Sequence, residues 1–175
     1  GATKEIKDLF DGEVVFSAPK PTRLIQKIIE LVPNEPGDVV LDFFAGSGTT
    51  ADAVLRWNAT GKSPWSFVLV QADERSDPKS VAAGLGYADL ASISRERVRR
   101  AARAVKQAEG LIDTPSDLGF RAFRVDGSSL LDVLRTPDEI DQLGLSALEL
   151  SIDSDRSEED LLFQVLLDWG LELSL

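Results

Sequence analysis

The stretch Asp38-Val39-Val40-Leu41-Asp42-Phe43-Phe44-Ala45-Gly46-Ser47-Gly48-Thr49-Thr50 climbs through an apolar run to an acidic residue and then turns at once through small residues. Thr49-Thr50-Ala51-Asp52-Ala53-Val54-Leu55 follows with the character of a helix. A buried strand, a glycine turn and a helix start, in that order, make a nucleotide-binding corner. Glycine at 46 and 48 permits positive φ and lets a ligand approach the backbone. The first helical turn adds N–H groups that have no partner inside the helix.

Outward from this corner, the helix runs from Thr49 to about Asn58, and Trp65-Ser66-Phe67-Val68-Leu69-Val70-Gln71 reads as a second strand of the buried, parallel-sheet type. With the first strand at Val39 to Phe43, the order implies a right-handed βαβ unit. Upstream, Ser17-Ala18-Pro19-Lys20-Pro21 is held extended by its prolines and releases into a helix. Leu24, Ile25, Ile28, Ile29 and Val32 recur there at helical spacing, and Pro33-Asn34-Glu35-Pro36-Gly37 ends the run. Residues 1–17 are short and mixed, with Val14-Val15-Phe16 as an extended piece, and residues 73–90 read as a loop with little regular structure.

A helix is expected from about Ser92 to Ala108, with Ile93, Val98, Ala101, Ala102 and Val105 on its apolar side. Arg95, Arg97, Arg99, Arg100, Arg103 and Lys106 share this helix, and 95, 99, 103 and 106 fall on one stripe. Such a stripe suits phosphates or is a solvated face partly neutralised by acids elsewhere. Arg121 to Asp126 alternates like a strand. Two helical segments are expected after it, Pro137 to about Leu150 and Ser157 to about Trp169, and Leu171 to Leu175 alternates like a strand cut short. Trp57, Trp65 and Trp169 read as packing residues, not base-stacking platforms.

A chain of 175 residues with 43% apolar content fits one soluble globular domain with a full core. No apolar run reaches the roughly 18 residues of a membrane span, so no membrane partner is expected. Cys and His are absent, which excludes disulfides, thiolate sites, the usual zinc constellations and His-based triads; a metal site is not expected. Met is also absent, so Gly1-Ala2 is read as a processed start or, the favoured reading, a tag scar ahead of a sequence that begins in mid-architecture. The formal charge of −11 is unevenly placed: residues 126–175 hold 13 acids and 2 bases, whereas residues 1–125 hold 17 of each. The division expected from this is a cofactor-binding part at 1–125 and an acidic, mainly helical extension at 126–175.

Three ligand classes use a glycine turn at a strand end. The phosphate-binding loop needs a Lys after its last Gly, and Gly48 is followed by Thr49. The dinucleotide pattern G-x-G-x-x-A is met by Gly46, Gly48 and Ala51, but its acid, at Asp73 or Glu74, lies beyond the usual ~20 residues. The third class binds S-adenosylmethionine, whose ammonium and sulfonium suit an acid at the strand end; Asp42 stands there.

From Asp42 through Thr50 the sequence resembles the amino-group DNA methyltransferases, with their F-x-G-S-G-T-T hallmark, and Lys20-Pro21 followed by Leu24-Ile25 looks like their K-P-x-x-L cofactor motif. That motif lies upstream of the glycine turn, the order of the permuted β class. Phe67 to Gln71, the helix from Ile93 to Ala102 and Leu118 to Arg124 resemble the modification subunit of type III restriction systems, so the likeness spans nearly the whole chain. The resemblance implies a partial three-layer αβα Rossmann-like methyltransferase fold with a helical, acidic C-terminal extension. It implies S-adenosylmethionine as cofactor, bound by Phe44, Gly46, Ser47 and Gly48 as a floor. Lys20 and Pro21 bracket the cofactor from the other side. Asp42 takes its cationic part, Thr49 and Thr50 offer hydroxyl and N–H groups to its carboxylate, and Asp73 or Glu74 grips the ribose where Gln71 occupies the strand end.

The same resemblance implies adenine-N6 methylation of DNA by the full-length protein, a restriction subunit as partner, homodimerisation and a cytoplasmic setting. In the family the flipped base is held by [DNS]-P-P-[YFW]. No Pro-Pro pair occurs here; Asp77-Pro78-Lys79-Ser80 is the nearest stretch, so no catalytic residue is expected in this chain and it is expected to be inactive alone. A second reading is an NAD-type or degenerate Rossmann domain that binds a partner through its acidic third.

Overall fold

The computed structural model describes residues 1–33, 35–61, 64–109, 117–128, 155–171 and 173. The chain divides into two compact units, Gly1–Ala122 and Phe123–Leu175. The first carries α1 (Ala2–Leu9), α2 (Thr22–Glu30), β1 (Val39–Asp42), α3 (Thr49–Asn58), β2 (Ser66–Leu69), α4 (Val81–Gly84) and α5 (Leu90–Glu109). In the second, α6 spans Glu158–Asp168.

β1 and β2 pair in parallel, with Val39 opposite Ser66 and Asp42 opposite Leu69, and α3 connects them as the sequence pattern requires. Both strands are shorter than the sequence suggested, because pairing stops where β1 runs into the glycine turn. Alternate residues of a strand face opposite ways. Val40, Phe67 and Leu69 face inward, where α3 packs on the sheet between α2 and α5. Ala53, Val54, Trp57 and Ile29 form one cluster there, and Ala51, Leu55, Val98, Ala101 and Val105 form another. Val39, Leu41 and Val68 point the other way and stay about half exposed. Trp57 and Trp65 are buried with rings 6.3 Å apart, the packing role expected of them, whereas Trp169 is 76% exposed.

Several elements differ from the sequence pattern. The first residues form α1, which the mixed composition concealed. Eight residues are too few for a helix stable by itself. Ile6 and Phe10 anchor it in a third cluster with Val15, Ala82 and Ile93. Arg100 of α5 reinforces the contact, donating to Leu9 O at 2.8 Å and to Asp11 at 2.6 Å while lying over the Phe10 ring. The Asp11 carboxylate, with Glu96, holds the Arg100 pKa above its ordinary value against the opposing desolvation.

Residues 73–90 are also more ordered than a bare loop. They contain α4 and a bridge from Arg75 to Asp89. Asp89 then starts α5: its carboxylate accepts the Ser92 N–H at 2.6 Å, a bond that lowers its pKa despite the opposing desolvation.

Arg121 to Asp126 does not form a strand, because among the described residues no strand pairs with it. Leu118 and Phe120 pack instead on the α3–α5 cluster. In the second unit, Phe123 meets Phe163 edge to face at 5.1 Å, and Arg156 pairs with Asp126 at 3.1 Å. α6 begins as its sequence predicts, in a reciprocal capping box between Ser157 and Asp160, and none of its residues is buried. The helix expected at 137–150 lies outside the described residues, as does most of 171–175; Leu171 and Leu173 are not in a strand. Among the described residues, no helix is long and apolar enough to cross a membrane, and no group of side chains could hold a metal ion.

Candidate functional site

Strand β1 ends by delivering Asp42 to the turn. Its Oδ1 accepts the Phe44 N–H at 3.0 Å, and its Oδ2 accepts the Thr50 hydroxyl at 2.6 Å. One carboxylate thus ties the strand end to the first turn of α3. Between them, Ala45 N–H donates to Val70 O and Gly48 N–H to Ala45 O. Gly46 and Gly48 both take positive φ, +53° and +77°, as the composition of the turn predicts.

The two glycines serve different ends. A Cβ on Gly48 would lie 2.8 Å from Ser94 Oγ and 3.1 Å from Ser94 O, so this glycine lets α5 approach the turn. A Cβ on Gly46 would meet nothing nearer than 3.7 Å. The Gly46 N–H donates to Gln71 Oε1 at 2.8 Å, so the strand-end amide that stands where an acid was expected pins the turn. Phe44 is 91% exposed at the lip.

The Lys20-Pro21 segment comes to the same place. Pro21 is extended (φ −72°, ψ 131°) and leads into α2, whose first amide, Thr22 N–H, donates to Glu5 of α1 at 2.8 Å. Thr49 donates its hydroxyl proton to Lys20 O at 3.3 Å. The structure therefore brings together Lys20, Pro21, Asp42, Phe44, Gly46, Ser47, Gly48, Thr49 and Thr50. Asp73 and Glu74 follow β2 with exposed side chains, and Asp73 faces Arg75 at 3.8 Å.

Beneath the turn lies a polar cluster that sequence reasoning did not single out. Arg97 of α5 is fully buried, and Asp52 of α3 is buried against it with Nη2 3.0 Å from Oδ2. Arg97 also donates to Ser47 at 3.0 Å, to Thr49 at 2.7 Å and to Thr22 at 2.9 Å. The other Asp52 oxygen accepts from Arg56 at 2.7 Å. A signal was present: Arg97 is four residues from both Ile93 and Ala101, on the apolar stripe of α5. An arginine so placed needs a buried partner.

Three further arginines of α5, Arg99, Arg100 and Arg103, gather around Glu96. Within the stripe, Arg99 and Arg103 are thus paired with an acid of their own helix. Asp77-Pro78-Lys79-Ser80 is a local turn: Asp77 accepts from Lys79 N–H, and Ser80 caps α4.

A family model for DNA methylases matches residues 3–76. The type III restriction-modification enzyme StyLTI Mod subunit of Salmonella typhimurium is 46% identical over 121 residues, 69% of this chain and 18% of that protein. The EcoP15I Mod subunit of Escherichia coli is 33% identical over 158 residues, 81% of this chain and 23% of that protein. The type II methyltransferase M.KpnI of Klebsiella pneumoniae is 33% identical over 97 residues, 55% of this chain and 23% of that protein. The chain spans about a fifth of the length of these relatives. With the glycine turn and the Lys20-Pro21 segment joined in one site, these matches identify the chain as a member of the DNA methylase family and a relative of type III modification subunits.

Proposed function

We propose that this chain is the cofactor-binding part of a DNA adenine-N6 methyltransferase of a restriction-modification system. In the full-length protein it would act on DNA together with a restriction subunit. The supporting observation is the junction of Lys20-Pro21 with the Asp42–Thr50 turn through Thr49 and Lys20 O, inside the span that matches the DNA methylases. The NAD-type alternative draws no support from the relatives.

The donor set suits S-adenosylmethionine, which when bound supplies a methyl group on a sulfonium. Asp42 offers a half-buried carboxylate to its cationic part, and the exposed Phe44 ring offers an apolar surface. Thr49 and Thr50 spend their hydroxyl protons on Lys20 O and Asp42. Their share in holding a ligand carboxylate falls to the backbone N–H groups of the first turn of α3. Gln71 is engaged by Gly46 N–H, which leaves the ribose to Asp73 or Glu74. The complete fold in this reading is a three-layer αβα sandwich. The half-exposed Val39, Leu41 and Val68 support a covered second face of the sheet.

No Pro-Pro pair is present, so this chain alone does not orient an adenine amine. Calorimetry is expected to show binding of S-adenosylmethionine or its demethylated product and none of NAD. Asp42→Ala and Gly46→Val should abolish it with the fold intact. NAD binding without S-adenosylmethionine binding would overturn the reading, and methyl transfer to DNA by this chain would refute its catalytic incompleteness.

A further inference from the structure

Arg97 has no exposed surface, so it reaches no ligand in the cradle. Its guanidinium nevertheless uses all of its N–H groups. Nε and one Nη2 proton go to Asp52 Oδ2, the other Nη2 proton to Thr22, and the two Nη1 protons to Ser47 and Thr49. Burying a guanidinium costs several kcal/mol before its partners repay it, and an apolar side chain would serve α5 as well for packing alone. What the guanidinium adds is a rigid planar fork.

That fork joins segments far apart in sequence. Thr22 directly follows Lys20-Pro21 and lies 75 residues from Arg97, while Ser47 and Thr49 flank Gly48. Thr49 also reaches Lys20 O, and Thr22 donates its own proton to Asp52 at 3.1 Å. The two halves of the cradle therefore meet on one side chain, which lies beyond the 3–76 span of the family match.

We propose that Arg97 is a positioning residue for the cofactor: through Thr22, Ser47 and Thr49 it holds the Lys20-Pro21 segment and the glycine turn in fixed register, so the cradle is assembled before ligand arrives. The inference rests on the cofactor reading above. Arg97→Lys cannot replace the fork, because an ammonium has three donors on a flexible stem.

The test uses the full 175-residue chain and S-adenosylhomocysteine as probe. In Asp52→Leu/Arg97→Met the ion pair gives way to an apolar pair, a change that buried ion pairs often tolerate or gain from. The double variant is expected to melt within about 3 °C of the parent. It should still bind at least about tenfold more weakly, since displaced contacts distort a site from a distance. Amide exchange at Thr22 and Ser47–Thr50 should quicken without ligand. Thr22→Val keeps the Asp52–Arg97 pair and is expected to fold and lose affinity in the same direction, so the question stays open to refutation if the double variant does not fold.

Parental affinity in either folded variant would overturn the proposal, leaving Arg97 as a packing residue. A parent chain that binds no S-adenosylhomocysteine would count against the cofactor reading instead. In that event the exchange data decide separately: unchanged protection at Thr22 and Ser47–Thr50 in a folded variant overturns the positioning role, and faster exchange supports it.

Discussion

At Gly48 a single missing methyl group serves two constraints at once. Its φ of +77° disfavours any side chain, and the hydroxyl and backbone of Ser94 fill the space where a Cβ would go. Gly48→Ala is therefore expected to cost about 2–4 kcal/mol in urea unfolding. Gly46→Ala meets no close neighbour and should cost only the left-handed penalty, about 1–2 kcal/mol. Equal losses at the two positions would show that α5 does not press on the turn as described. The sequence made both glycines visible as turn formers but concealed this difference, because Ser94 approaches from an element 46 positions away. Asp42 was legible as the acid at a strand end. Its clamp on Thr50 was not, since the two meet only once the turn has closed.

Among the elements, those with strong periodicity or a marked start were readable: α3 begins and ends where its sequence implies, and Ser157 caps α6. Elements made by tertiary contact were not. α1 owes its place to Arg100 and to the packing of Ile6 against Phe10, Val15, Ala82 and Ile93, partners that lie outside residues 2–9. Arg121 to Asp126 has strand alternation but among the described residues no strand pairs with it.

The start of α5 is open to a direct test. Replacing the Asp89 cap with Ala should cost about 0.5–1 kcal/mol at neutral pH. The Ser92 N–H holds this carboxylate below its ordinary pKa of 3.8 when folded. Its stabilisation is thus fully present above that pH and fades as pH falls through the lowered value. The gap between parent and Asp89→Ala should narrow by pH 3 in urea titrations. A gap that is constant with pH would assign the effect to helix propensity alone.

For the whole molecule, burial is sharply one-sided across the sheet. Leu55 is 1% exposed and Leu41 is 52% exposed, although both belong to the same βα corner. Leu55→Ala should cost about 2–5 kcal/mol. Leu41→Ala should cost about 1 kcal/mol or less. Comparable losses would mean that the outer face of the sheet is covered in solution. A second consequence belongs to β1, which among the described residues is bonded along one flank only. The bare flank adjoins a trough of about 440 Å³ lined by Ile25, Ile28, Val32, Val39 and Leu41. Unpaired peptide groups beside an oily trench recruit any extended chain that drifts past. What this edge governs is shelf life at high concentration, not melting temperature. Val39→Lys should delay the onset of light scattering in a concentrated sample while leaving the thermal transition where it was.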